Sequence, residues 1–254
     1  MSATSFFSYI NHQPPAAAYP TWSKPEEVRR TVTLSRQAGC GAQEIAGKLA
    51  ARLQAHSSHA GCPWTIFDRA LMDKVLVDPR LPKYLDTYLP PDLKPAMEAI
   101  LEGLFGPNTT DRLARQKAET MLGLAEVGNA IIIGGGGNIV AAKVPHALHV
   151  RLIAPLDQRL RRAHEIYGMP PPEARQFCLA QDLSREEYVR AHFNSDVKDP
   201  MHYHLVINTA LMSYDAVARL IEDSLMSLGD LPKSGETWAT RDSEGAPVTG
   251  HLTV

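Results

Sequence analysis

The sequence predicts an α/β fold built on a five-stranded parallel sheet with helices on both faces. Two observations carry this. Five short apolar runs recur along the chain, and four of them lead directly into a segment of helical periodicity, which is the pattern of β-crossover-β units. The third observation is size: 254 residues, 44% of them hydrophobic and 21% charged, suit one α/β domain of about 200 residues with tails, or two small domains.

The elements follow in order. Residues 1–28 carry Pro14, Pro15, Pro20 and Pro25 without sustained periodicity and read as a flexible N-terminal arm. Thr31–Ser35 reads as a buried strand. Gly41–Leu53 follows as a helix, with Ile45, Leu49 and Leu53 on one face. Trp64–Phe67 is a short strand and Asp68–Val77 a short helix. Residues 78–108 hold six prolines and are the least legible part. Thr109–Val127 reads as a helix with Asp111 near its start. Ala130–Ile133 is a strand running into four glycines, 134–137. Leu148–Ile153 is a strand, Leu156–Tyr167 a basic helix and Glu173–Phe193 a charged helix. Leu205–Asn208 is the last strand. Tyr214–Leu228 is the last helix, with Val217, Leu220, Ile221 and Leu225 inward; methionine and aromatic positions read as core. Residues 229–254 are polar, rich in turn formers, and read as a flexible tail. The folded domain is thus placed at 29–228.

Composition excludes several classes. Lys and Arg number 26 against 28 Asp and Glu, a net charge of −2. Such a balance gives no bulk attraction to nucleic acid or to an anionic membrane. The apolar runs are far shorter than a membrane helix needs, and the N-terminus has no basic region before an apolar stretch. Cys40, Cys62 and Cys178 lack zinc-ligand spacing, and no metal site is expected. A reducing cytoplasm is the simplest setting.

In a parallel sheet, ligands bind beyond the carboxyl ends of the strands. The first such loop, Ser35-Arg36-Gln37-Ala38-Gly39-Cys40-Gly41-Ala42-Gln43-Glu44, turns at two glycines and opens a helix. Backbone N–H groups at such a helix start face an anion readily. The common phosphate loop, GxxxxGK[ST], uses a lysine on the outer phosphates and a hydroxyl on Mg²⁺. Here Ala42 and Gln43 stand at those places, so a tight turn without a ligand is an equal reading. Cys40 sits where a helix start can lower a thiol pKa, although no histidine lies near it in sequence. Arg159, Arg161 and Arg162 can form a phosphate-binding set or a solvated helix face. Asp182 and Arg185, three apart, can be a surface ion pair. Asp68 can be a ligand contact or a helix N-cap. The glycine run can admit a ligand or close packing.

Six segments, in order, resemble the cytidylate kinase-like family of P-loop nucleoside monophosphate kinases. TVTLSRQAGCGAQEIAGKLAARL resembles its first strand-loop-helix unit, with a loop of the form SRQxGSGGxEIA. Phe67-Asp68-Arg69-Ala70-Leu71, Ile131–Gly136, and Ala154-Pro155-Leu156 with Arg159 and Arg162 resemble its later segments. Asp182-x-x-Arg185-x-x-Tyr188 resembles its lid. Asp199-Pro200-x-x-Tyr203 with Ile207-Asn208-Thr209 resembles its closing strand. The resemblance covers roughly residues 30–225. It implies a P-loop-like three-layer α/β/α sandwich with a helical lid drawn from about 168–200. It implies phosphoryl transfer from ATP, with Mg²⁺, to CMP or a related nucleotide, or a nucleotide-binding module that has lost transfer.

By the resemblance, Arg159, Arg162 and Arg185 are catalytic, supplying planar charge to the moving phosphoryl group. Ser35, Arg36, Gln37 and Gly39–Glu44 hold the donor, and Asp68, Arg69, Gly134 and Gly135 the acceptor. The chain departs from the family at Gly135, where an acceptor-binding Arg is usual, and at Cys40, Leu183 and His204. Loss of that Arg implies weak acceptor binding, restorable by Gly135→Arg provided that Gly135 does not need φ > 0.

Overall fold

The computed structural model describes residues 30–56, 63–77, 89, 93–107, 111–228, 240–241 and 247–248. The N-terminal arm, most of the C-terminal tail and most of the proline-rich stretch 78–92 lie outside these residues.

Five strands form one parallel sheet: β1 (Thr31–Arg36), β2 (Thr65–Phe67), β3 (Ala130–Ile133), β4 (Ala147–Ile153) and β5 (Leu205–Asn208), in the order β2-β3-β1-β4-β5. Each strand lies within one or two residues of the place its apolar run predicts. β1 is central, pairing Thr33 with Ile132 of β3 and with His149 of β4. The order therefore steps outward from β1 in both directions. Its switch point leaves a crevice beyond the ends of β1 and β3.

Alternation along β1 divides the sheet into two unlike faces. Val32 and Leu34 join Ile131, Ile133, Leu148, Val150 and Leu152 in one apolar core. Helices α1 (Ala42–His56) and α8 (Tyr214–Met226) cover it. Helix α1 presents Ala42, Ile45, Ala46, Leu49 and Leu53, a spacing that keeps one face buried. Helix α8 starts where the Ser213 hydroxyl accepts the Ala216 N–H at 3.2 Å and buries Val217, Ala218, Ile221 and Leu225. Leu220, expected inward, is 36% exposed; α8 meets α1 and the sheet along a narrow stripe, and Leu220 falls beside it. The expectation that all methionine and aromatic side chains are core also fails, since Met201 and Tyr167 stand mostly in solvent.

The opposite face carries Thr31, Thr33 and Ser35 from β1 beside His149 and Arg151 from β4, all buried. Each polar group is placed by register: Thr33 Oγ1 lies 2.8 Å from His149 Nδ1, and Thr31 Oγ1 donates to the Ala125 carbonyl. This face is covered by α2 (Arg69–Val77), α3 (Leu93–Phe105), α4 (Arg112–Val127) and the one-turn α5 (Gly137–Val140). Asp111 caps α4 by accepting the Ala114 N–H at 3.0 Å. Helix α6 (Leu156–Tyr167) stops at left-handed Gly168, and α7 (Pro171–Phe193) starts with prolines in its first turn. α7 occupies most of the stretch expected as a lid. It packs Ala174 and Cys178 against Ala38 and Ala163.

Candidate functional site

The loops after β1, β3 and β4 converge with α2, α4 and α7 around a cavity of about 240 Å³. Its floor is Ser35, Arg36 and the glycine run; Met72 and Met121 form an apolar wall; Arg69, Asp73 and Lys117 lie along α2 and α4; Asp182, Arg185 and Tyr188 come from α7.

The loop after β1 is braced from outside. Gln37 accepts the Ala154 N–H at 3.0 Å through Oε1 and donates its own N–H to Leu152. Thr209 donates to the Cys40 carbonyl at 3.0 Å. The Ala38 N–H donates to Asp182 Oδ1 at 2.7 Å. By contrast, among the described residues no hydrogen bond of ordinary geometry occupies the N–H groups of Gly39 and Gly41, and Cys40 N–H only closes the loose turn over Ala38 and Gly39. These N–H groups stand together at the start of a 15-residue helix, an arrangement suited to an anion. Gly41 has φ +83°, and a Cβ there would run into the Tyr214 ring. The glycine is thus required by packing against α8 as well as by the turn. Cys40 is no activated thiol: burial pushes it up to about 11.

Of the three arginines expected to act together, Arg159 and Arg185 meet on Asp182 and Arg162 lies apart. Arg185 lines the cavity and pairs with Asp182 at 3.3 Å. Arg159 is 5% exposed. It donates to Asp182 Oδ2 at 2.6 Å and to the Ala38 and Ala154 carbonyls, which makes it a clamp under the loop. Arg162 pairs with Glu44 and stacks on Tyr214 at 4.5 Å, away from the cavity. Asp68 lies at the start of α2, accepting the Leu71 N–H at 2.9 Å and the Gln43 amide at 2.9 Å. Its N-cap reading holds. With Glu44 held by Arg162 and Asp68 by these two donors, neither offers a free carboxylate. Among the described residues no group of three His, Cys, Asp or Glu is placed to hold a metal ion.

Gly134 and Gly135 line the cavity. A Cβ on Gly134 would collide with the Arg36 guanidinium, which lies across it. Gly135 has φ +65°, so the condition attached to Gly135→Arg is not met. Arg36, expected at the donor loop, turns into the cavity. Burial and then the neighbouring Arg185 lower its pKa to about 10, leaving it charged at neutral pH.

Arg151 and Lys117 were not singled out from sequence. Arg151 is 6% exposed, in the middle of β4. A charged residue inside an otherwise apolar buried strand was the available signal. Lys117 gave none, because a lysine on a helix is ordinary until the fold shows what it faces.

Residues 31–211 match the cytidylate kinase-like family, and the chain belongs to that family. A cytidylate kinase of Ignicoccus hospitalis is 37% identical over 107 residues, 40% of this chain and 59% of that protein. A protein of Corynebacterium glutamicum named uronate isomerase is 30% identical over 113 residues, 44% of this chain and 22% of that protein. The chain thus spans less than two thirds of either relative. An uncharacterized protein from Eubacterium ventriosum superposes with a TM-score of 0.61 at 18% identity, over 79% of this chain and 99% of its own, which shows a shared fold. Among the described residues no helix is long and apolar enough to cross a membrane.

Proposed function

We propose that this protein is a phosphotransferase of the nucleoside monophosphate kinase kind, moving a phosphoryl group from ATP to CMP or a related nucleotide. The observation that carries this is the cavity itself. Five cationic side chains, Arg36, Arg69, Lys117, Arg151 and Arg185, line it against three carboxylates, Asp73, Asp182 and Glu186. It lies beside the loop whose Gly39 and Gly41 N–H groups are in no hydrogen bond of ordinary geometry among the described residues. Phosphoryl transfer asks of a protein chiefly alignment and positive charge, and the cationic lining of the cavity supports the second. The donor would sit with its phosphates on the loop, and the acceptor in the cavity. Mg²⁺ would arrive with the donor nucleotide and would offset phosphate charge during transfer. A cytoplasmic setting fits this chemistry.

A second reading is a nucleotide-binding module without transfer. The specific observation favouring it is Ala42, whose buried methyl replaces the lysine that reaches the outer phosphates in common phosphate loops. Calorimetry with a panel of nucleotides and Mg²⁺, followed by coupled turnover on each pair that binds, decides between them. Turnover establishes the first reading. Binding without turnover establishes the second, and binding of neither ATP nor any monophosphate overturns both.

A further inference from the structure

We infer that Arg151 and Arg36 form the seat of the acceptor's phosphate, replacing the arginine that this chain lacks at Gly135. The inference rests on the phosphotransferase reading for the identity of the ligand, but its chemistry is independent: a phosphate dianion at the cavity floor.

Most of the charges that line the cavity already face an opposite charge. Arg69 and Lys117 share Asp73 at 3.8 and 3.2 Å. Arg185 shares Asp182 with Arg159. Glu186 is taken by Lys198 at 2.8 Å. Arg36 and Arg151 are the cavity guanidiniums that no carboxylate meets among the described residues. Removing a guanidinium from water without a counter-charge is costly, and proteins keep such groups where an anion binds.

Arg151 is also pre-aimed. Ser35 and Arg151 are direct partners in the β1–β4 register, so they share a face. One Nη donates to Ser35 Oγ at 2.9 Å, and Ser35 is held in turn by the Tyr203 hydroxyl at 3.2 Å. The guanidinium lies 5.7 Å from the Tyr203 ring centre. Arg36 is held over Gly134, where the missing Cβ gives it room. Among the described residues, the wholly buried side-chain nitrogens left without a partner belong to Asn138 and Arg162. The unbonded nitrogens of Arg36 and Arg151 therefore keep access to the cavity. Both guanidiniums line the one cavity, and each planar fork offers a phosphate paired donors that lysine cannot reproduce.

The test titrates AMP, CMP, GMP and UMP, each against its own nucleoside, into the parent, Arg36→Gln, Arg151→Gln and Arg151→Lys proteins. The parent should prefer at least one monophosphate over its nucleoside. Each Gln variant should lose about 10- to 150-fold of that monophosphate's affinity while nucleoside affinity stays. In turnover the loss should fall on the acceptor's KM. Arg36→Gln should melt no lower than the parent, because it removes a half-buried guanidinium that no carboxylate pairs at salt-bridge distance among the described residues; a structural role would lower the melting temperature. If Arg151→Gln does not fold, Arg151→Lys keeps the charge without the fork and should still lose affinity. Parent protein that binds no monophosphate better than its nucleoside, or folded variants that bind like the parent, overturn the inference. Discrimination without any turnover leaves the inference standing and removes the phosphotransferase reading. Turnover with an unchanged acceptor KM in the variants does the reverse.

Discussion

Asp182, in the middle of α7, accepts the Ala38 N–H of the loop after β1 at 2.7 Å. One carboxylate thereby joins the helix expected as a lid to the loop expected to hold phosphates. Its other oxygen takes Arg159 at 2.6 Å, and Arg185 approaches at 3.3 Å. Asp182→Asn keeps an acceptor for Ala38 and removes the charge shared by two arginines. It should cost about 2 kcal/mol, the worth of a hydrogen bond to a charged group. Urea unfolding of the two proteins, compared by midpoint at constant slope, measures it.

Arg185 and Arg162 are expected to fail in different ways. Arg185 lines the cavity, so Arg185→Ala should lower kcat by more than it weakens ground-state binding, because the charge it meets is greatest in the transition state. Arg162 sits between Glu44 and the Tyr214 ring. Arg162→Ala should appear as a stability loss of roughly 1 kcal/mol from the stacked, paired guanidinium. Paired kinetics and thermal melts of both variants separate the two roles, and equal kcat in Arg185→Ala and parent would remove Arg185 from the chemistry.

Gly41→Val would blur the question that it is meant to ask. A valine there is meant to fill the loop and exclude phosphate, but the added Cβ meets Tyr214 first, at φ +83°. The variant should lose about 1–3 kcal/mol of stability from backbone strain alone, read as a fall in melting temperature with no nucleotide present. Lost binding in that variant therefore says nothing about the phosphate site.

Gly135→Arg carries a related cost. Left-handed backbone at φ +65° penalises a residue with a Cβ by roughly 1–2 kcal/mol, and the Cβ would stand 3.2 Å from Met121 Sδ. With Arg36 and Arg151 already at the floor, monophosphate affinity should change by less than about threefold, within 1 kcal/mol. A tenfold gain in CMP titration would show that the seat is vacant in the parent.

His149 gives the protein an acid limit. Burial first, then the neighbouring His204, lowers its pKa to about 4 from an ordinary 6.5. Its ring faces Thr33 Oγ1 at 2.8 Å and stacks on His204, whose Nδ1 accepts the His149 N–H at 2.9 Å. The folded form thus holds His149 neutral while the unfolded chain takes a proton below pH 6.5. Stability is fully present above 6.5 and is lost as pH falls toward 4, by up to roughly 3 kcal/mol. Chemical unfolding at pH 7, 5.5 and 4 should show the decline, and His149→Gln should flatten it.

How much of this was legible in the sequence depends on how far each feature reaches along the chain. Ala130–Ile133 and Leu205–Asn208 were readable to the residue because an apolar run between turn formers is a local signal. Asp111 near a helix start, the N-cap alternative at Asp68 and the glycine turns were readable for the same reason: a cap or a turn is closed within four residues. Helix α3 was missed because six prolines mask a short apolar period, and one-turn α5 because glycine gives no period at all.

The order of segments determined the family and the parallel sheet, since each strand-to-helix unit is contiguous. Which arginine faces the cavity was decided by the tertiary structure. Arg159 and Arg162 lie three apart on α6, yet one clamps the Ala38 loop and the other stacks on Tyr214, 52 residues further along the chain. Arg151 reaches Ser35 through strand pairing across 116 residues. Spacing along one element fixes which side chains share its face. What that face meets is set by partners brought together by folding, and in this protein such long-range partners assign the roles of Arg151, Arg159 and Arg162.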